Sequence, residues 1–335
     1  MNIGEIESGN VVIRVLTTNL TSMTILTEEK FKGKVIQPGP KANKVVGEHG
    51  LSMAIEVIEN DTPYLYLMDA GGLTQAIFEN SKQLGVDLSE AKKVVLTHGH
   101  FDHFGSLLEL IPLLQEGSEF IVNPNCFRQN VAIISKPGVN LPPANELGEN
   151  LRQLEKDGKI LVNKKMPLLN KNLVLTKLEE NKIKITETNK PIELHNGIIT
   201  SGEIELFDEN EVTKNLYIQK GRKKYERNIF RDETAIYINI KDKGLVVITG
   251  CGHCGIKNII KHGQKLTGID KIYAVIGGFH EEWNPIEIVQ EKFDYLESLN
   301  PEIVCGMHCT GFKFNKLMSD HSAHTLGIVG TEFHL

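Results

Sequence analysis

Residues 97–105 read Thr97-His98-Gly99-His100-Phe101-Asp102-His103-Phe104-Gly105. Four metal-ligand side chains fall within six residues, directly after a strand-like run at 93–97 (Lys-Val-Val-Leu-Thr). Phe104, Leu107, Leu108, Ile111 and Leu114 follow at helical spacing, which predicts an amphipathic helix over 104–115. In an extended segment residues i and i+2 point the same way, so His98 and His100 can grip one ion. The turn into the helix then presents Asp102 and His103 to a second ion nearby. Imidazole and carboxylate together suit Zn, Fe, Mn or Ni. The competing reading is a surface histidine run with Asp102 as a helix cap, but crowded imidazoles have little structural use without a metal.

One stretch does not close either site, because a catalytic metal typically takes three protein ligands plus water. The remaining candidates are His253 in Thr249-Gly-Cys-Gly-His-Cys-Gly255, His280 in Gly277-Gly-Phe-His280, and His308 in Cys305-Gly-Met-His-Cys-Thr-Gly311. Each follows an apolar run, where α/β proteins place functional loops.

The surrounding chain is that of a globular protein. Its 335 residues are 40% hydrophobic and 24% charged, with 37 basic against 43 acidic side chains and a net charge of −6. That excludes a disordered or collagen-like chain and gives no global attraction to nucleic acid or to anionic membrane. No apolar run approaches the ~20 residues of a membrane span. The N-terminal Met-Asn-Ile-Gly-Glu-Ile-Glu lacks a signal-peptide pattern. Five cysteines do not make a disulfide framework. A cytoplasmic protein in a reducing compartment is expected.

Strands are predicted at 11–16, 51–58, 64–68, 93–97, 119–123, 234–240, 245–249, 272–276, 302–305 and 327–333. Helices are predicted at 73–84, 104–115, 255–266, 286–299 and 313–320. Strands and helices alternate at both ends of the chain, with antiparallel pairs among them. This predicts an α+β protein of layered αβ/βα sheets rather than a doubly wound parallel sheet. Residues 125–230 lose the pattern and read as an inserted lid or arm on a single domain spanning 1–335.

At this point the chain resembles the metallo-β-lactamase-fold superfamily, whose hallmark is His-x-His-x-Asp-His. It is more specifically similar to the dihydropteroate-synthase-like branch, including 7,8-dihydropterin-6-yl-methyl-4-(β-D-ribofuranosyl)aminobenzene 5′-phosphate synthases. That closer resemblance rests on Glu48-His-Gly-Leu-Ser52, Asp69-Ala-Gly71, Thr97–His103, Thr249–His253, Gly277–His280 and His308-Cys-Thr-Gly311. It implies a four-layer αβ/βα sandwich, with the insertion between the histidine motif and the third-motif His253. It implies two divalent ions, zinc first among the candidates. His98, His100 and His253 would hold the first, and Asp102, His103 and His308 the second. Asp69 would orient the ligand loop from behind, and Asp102 would also orient a nucleophile or shuttle a proton. Glu48 and His49 would lie near the active site.

The chain departs from that pattern at the fourth motif. Most two-metal members place a bridging Asp after the penultimate strand. Here Asp270 precedes the strand and Gly-Gly-Phe-His280 follows it, so His280 is a candidate for metal or substrate.

The expected function is a metal-dependent hydrolase or transferase of a small phosphorylated, pterin-like molecule. A metal-activated water or a metal-stabilised leaving group would do the chemistry. Phe279 and Trp283 are candidates to stack on a flat ring. Lys220-Gly-Arg-Lys-Lys-Tyr-Glu-Arg227 is a basic run in which Lys223 and Lys224 would grip phosphate. That run also supports the alternative of a metallo-nuclease or phosphodiesterase, although nucleic acid is not the favoured partner. The second alternative is a non-catalytic metal- or ligand-binding sensor. A redox diiron enzyme is disfavoured, since the resemblance associates those members with Glu where this chain has His100. A homodimer is left open. Cys251, Cys254, Cys305 and Cys309 flank the ligand histidines and are expected as small buried residues at strand ends. A thiol that entered the coordination sphere would instead favour a softer metal.

Overall fold

The computed structural model describes residues 3–335. Its architecture follows from strands that are apolar on both faces. Successive side chains of a strand point to opposite sides. Val11–Thr17 therefore turns Val11, Ile13 and Val15 one way and Leu16 the other, and all four are buried. Ser52–Glu59 does the same with Met53, Ile55 and Val57 against Ala54, and Thr62–Met68 with Tyr66 and Met68 against Leu65 and Leu67. A sheet built from such strands needs cover on both sides.

Eight strands make the first sheet, in the order Val35–Ile36, Glu332–His334, Val11–Thr17, Ser52–Glu59, Thr62–Met68, Ala91–Leu96, Glu119–Val122, Lys184–Glu187. Six make the second: Glu193–His195, Ile198–Thr200, Ile236–Ile240, Gly244–Thr249, Ile272–Gly277, Ile303–Gly306. Their inner faces meet in one cluster, with Ile13, Ile55 and Met68 from the first sheet and Ile238, Ile248 and Ile276 from the second. Helices Ala76–Leu84 and Leu107–Leu110 cover the outside of the first sheet through Ile77, Leu107 and Leu110. Helices Ile256–Thr267, Ile286–Ser298 and Gly311–Met318 cover the second through Ile259, Val289 and Phe314. Helix, sheet, sheet and helix form the expected four-layer sandwich. No helix among the described residues is long and apolar enough to cross a membrane.

Two sets of parallel strands aim the functional loops. Thr62–Met68, Ala91–Leu96 and Glu119–Val122 run parallel in the first sheet, and Gly244–Thr249, Ile272–Gly277 and Ile303–Gly306 in the second. The loops that leave their C-terminal ends carry Asp69, His98–His103, His253, His280 and His308.

Three expectations change. The helix over 104–115 starts earlier and is broken, into Phe101–Phe104 and Leu107–Leu110 followed by a turn at Ile111–Leu113. The cause is a diverted hydrogen bond. Gly105 N donates 2.9 Å to Gly71 O in the neighbouring loop, Ser106 leaves helical geometry (φ −103°, ψ 9°), and Pro112 ends the segment. The last strand is only Glu332–His334, inserted beside Val11–Thr17. The segment 125–230 is divided rather than one appendage. Asn130–Ser135, Ile160–Lys165, Leu216–Gly221 and Lys224–Arg227 form a separate four-stranded sheet. Helix Ala144–Lys156 packs on that sheet, with Val131, Ile133, Leu147, Leu151 and Tyr217 forming a small core. The residues between, including Lys184–Glu187 and Glu193–Thr200, complete the two main sheets.

The motif loop is pressed against its neighbours. Gly99 N donates to Asp232 Oδ2 at 2.9 Å, and a Cβ at Gly99 would lie 2.1 Å from the Cys126 carbonyl oxygen. Overpacking of this kind costs about 1–3 kcal/mol. Gly99→Ala is expected to lower unfolding stability by that amount in urea titration; an unchanged midpoint would show that the loop has room to move.

Candidate metal centre

The centre is built from the carboxylate of Asp69 upward. Asp69 is fully buried in the loop after Thr62–Met68 and has left-handed backbone (φ 61°). Its Oδ1 accepts the Thr97 N–H at 2.7 Å, and its Oδ2 accepts the Thr97 hydroxyl at 2.8 Å. Oδ2 also lies 2.6 Å from His103 Nδ1. These bonds tie one strand end to the next and fix the His103 ring. With Nδ1 donating to Asp69, Nε2 carries the lone pair that faces the centre. Burial alone would lower the His103 pKa, but the Asp69 carboxylate overrides it and holds the imidazole at about 9.

The other side chains converge on the same point. His98 Nδ1 is 3.1 Å from the Thr97 hydroxyl, leaving Nε2 buried and unpartnered. The His98 ring centroid is 4.6 Å from that of His100 and 4.7 Å from that of His253. Asp102 Oδ2 is 3.2 Å from His308 Nε2 and 3.5 Å from His49 Nε2, while Oδ1 has no partner. His280 Nδ1 is also orphaned, with its ring 4.4 Å from the His253 ring. His253 stacks on Phe230 at 4.2 Å and 6°. His280 and His308, like Asp69, hold left-handed backbone (φ 52° and 53°). Such strain in non-glycine residues collects where geometry serves function.

Electrostatics match the crowding. Burial, then the neighbouring imidazoles, pushes His98 and His253 well below the usual histidine range. Burial takes His100 to about 4. Burial would raise Asp102, but His308 and His103 hold its carboxylate well below the usual range. The result is neutral lone-pair donors at His98, His100 and His253 beside the ionised carboxylate of Asp102.

Three groups of donor atoms fall within 4.8 Å among the described residues. They are Asp102, His103, Cys251 and His308; His98, Cys251 and His253; and Cys251, His280 and Cys309. His100 adjoins the second group by ring contact rather than belonging to it. Neutral imidazoles, a carboxylate and thiols, with orphaned atoms pointing inward, fit a divalent cation.

Several expected substrate contacts lie elsewhere. Glu48 is buried behind the centre, where its carboxylate accepts Gly72 N–H at 2.9 Å and the Thr74 hydroxyl. Phe279 is 1% exposed and packs edge-on against Phe314 in the core. Lys223 and Lys224 sit exposed at the turn of a hairpin and do not line the cavity. His49 does line it.

The centre opens into a cavity of about 920 Å³. Lys164, Lys165 and Lys214 line it, and none has a carboxylate within ion-pair distance among the described residues. Trp283 and Phe312, 71% and 73% exposed, line it too. The sequence reading also missed Asp232, which accepts from Gly99 N, and Glu233, which accepts the His253 N–H at 2.8 Å. Burial pushes Glu233 up to about 7. Asn19 was missed as well; its Oδ1 lies 3.2 Å from His308 Nδ1. Two acids placed just before the apolar strand Ile236–Ile240 were the available signal for the first pair.

Asp69→Ala removes the partner of His103 and of the Thr97 N–H together. Breaking a buried pair costs about 3–5 kcal/mol. Metal-stripped protein is expected to lose that much in urea unfolding, and a loss under about 1 kcal/mol would show that the loop is held by other contacts.

Known proteins share this chain's sequence and fold. The Lactamase_B family, described as the metallo-beta-lactamase superfamily, matches residues 55–116. A 7,8-dihydropterin-6-methyl-4-(beta-D-ribofuranosyl)-aminobenzene-5'-phosphate synthase of Methanocaldococcus jannaschii is 31% identical over 279 residues, covering 82% of this chain and 84% of that protein. An uncharacterized protein of the same organism, MJ0448, is 27% identical over 301 residues, covering 89% and 97%. The solved structure of Tm1679, described as a metal-dependent hydrolase of the beta-lactamase superfamily, shares the fold. Its TM-score is 0.68 at 21% identity, covering 97% of this chain and 99% of that one. With the synthase matched over most of both chains, this protein belongs to the metallo-β-lactamase superfamily.

Proposed function

We propose that this protein is a metal-dependent hydrolase or transferase acting on a small phosphorylated substrate with a flat, pterin-like ring. The observation that carries the reading is the buried donor cluster with orphaned atoms, opening into a cavity that holds three uncompensated lysines and two exposed aromatic rings. The synthase relative, whose name joins a dihydropterin, an aminobenzene and a phosphate, supports the same class of molecule.

His98, His100 and His253 would hold one divalent ion, and Asp102, His103 and His308 a second. Such ions supply Lewis-acid chemistry, acidifying a water or polarising a phosphoryl or carbonyl oxygen. The chain's own residues do the rest. Lys164, Lys165 and Lys214 bind the phosphate as mobile point charges. Trp283 and Phe312 offer faces on which a flat ring stacks. His49 faces the same cavity 3.5 Å from Asp102, where it is placed to exchange a proton with bound substrate. The basic hairpin at 220–227 adds nothing to this cavity, since Lys220 pairs with Glu226 at 3.1 Å and neither Lys223 nor Lys224 lines it.

Steady-state kinetics on a panel of phosphorylated and dephosphorylated pterin and aminobenzene compounds tests the reading. Losing a charge-assisted contact at an exposed lysine should raise KM roughly ten-fold while leaving kcat nearly unchanged. Lys164→Ala and Lys214→Ala are expected to do so only for the phosphorylated compounds. Equal effects on both series, or no turnover by metal-replete protein, would overturn the substrate assignment.

A further inference from the structure

Of the four cysteines expected as small core residues, Cys254 and Cys305 meet the expectation and the half-buried Cys309, which lines the cavity, does not. Cys126, Cys254 and Cys305 each sit in an apolar cluster. Cys251 does not. It is 2% exposed, yet its sulfur lies 3.1 Å from His103 Nε2. It is also the one side chain common to all three donor groups. On one side stand Asp102, His103 and His308, and on the other His98 and His253.

The local sequence is built to put it there. Gly250 passes so close to Thr97 that a Cβ would lie 2.2 Å from its hydroxyl oxygen. Gly252 has left-handed backbone (φ 75°), and a Cβ there would lie 2.7 Å from the Gly278 carbonyl oxygen. Two glycines thus let the Cys251 backbone press between three strand ends. The stretch after the penultimate strand, Gly277-Gly278-Phe279-His280, brings no carboxylate of its own to this point.

We propose that Cys251, common to the donor groups, would be a thiolate ligand of the metal centre. This rests on the metal-site reading above. On binding, the S–H bond breaks, the proton leaves to buffer, and a sulfur lone pair is donated to the metal. Together with Asp102 the thiolate brings two negative charges into a centre otherwise made of imidazoles. A soft donor at this position selects zinc, iron or cobalt over magnesium and calcium.

Cobalt(II) absorption reads this directly, since a thiolate bound to cobalt gives a charge-transfer band that imidazole and carboxylate do not. Protein loaded with cobalt(II) is expected to show the band. Cys251→Ser is expected to lose it while still binding cobalt, and Cys309→Ser to keep it. Zinc-edge X-ray absorption of the unmutated protein gives the same answer without relying on a variant to fold, through a sulfur shell around the ion. Cobalt bound without the band, a zinc edge without sulfur, or a band lost in Cys309→Ser alone would overturn the thiolate ligand and leave the metal site standing. Failure of the unmutated protein to bind either ion would overturn both.

Discussion

Imidazoles crowded around one buried carboxylate are the constraint on which this structure turns. Apart from Thr17 and Thr18, every orphaned buried side-chain atom among the described residues belongs to the centre: His98 Nε2, Asp102 Oδ1, His253 Nδ1, His280 Nδ1 and His308 Nε2. Each such atom costs about 1–3 kcal/mol when left unmade. Proteins keep few of them, and those they keep call for an explanation. His253 Nδ1 has Glu233 Oε1 at 3.4 Å and His308 Nε2 has Asp102 Oδ2 at 3.2 Å, while His98 Nε2, Asp102 Oδ1 and His280 Nδ1 have no such neighbour. A cation held by these side chains would remove the penalty at the atoms that bind it.

The rest of the fold serves that convergence. Parallel strands in two facing sheets send their C-terminal loops to one place, so donor side chains more than 200 residues apart in sequence, such as His98 and His308, meet without long reach. Asp69 then locks the first loop, Asp232 and Glu233 hold the backbones of Gly99 and His253, and Asn19 holds His308. The cost is local strain, visible as left-handed backbone at Asp69, His280 and His308. The small sheet made from 130–165 and 216–227 forms one wall of the cavity. Alternation along Asn130–Ser135 turns Val131 and Ile133 to the small core and leaves Ala132 and Ile134 to line the cavity.

Much of this was legible in the sequence, and the reason is locality. His98, His100, Asp102 and His103 are contiguous, and the strands that flank them are apolar on both faces, so fold and cluster both showed. What was not legible depends on topology. Lys164, Lys165 and Lys214 look like ordinary surface lysines until the small sheet folds over the centre, whereas the denser run at Lys223 and Lys224 is carried outward by its hairpin turn. Phe279 was misjudged because it neighbours His280; the core claims its ring beside Phe314 while His280 faces the cavity. The helix expected over 104–115 had good apolar spacing, but Gly105 gives its N–H to Gly71 instead of the helical ladder. Cys251 was read as packing, and the placement of its sulfur against His103 separates it from Cys126, Cys254 and Cys305.

The central claim is that the buried donors exist to hold divalent ions. Elemental mass spectrometry of protein purified without added metal or chelator measures this most directly, with His98→Ala and His308→Ala beside it. The account predicts about two ions per chain, reduced by either substitution. A chain that carries no stoichiometric metal, is not filled by adding any, and is indifferent to both substitutions would contradict it.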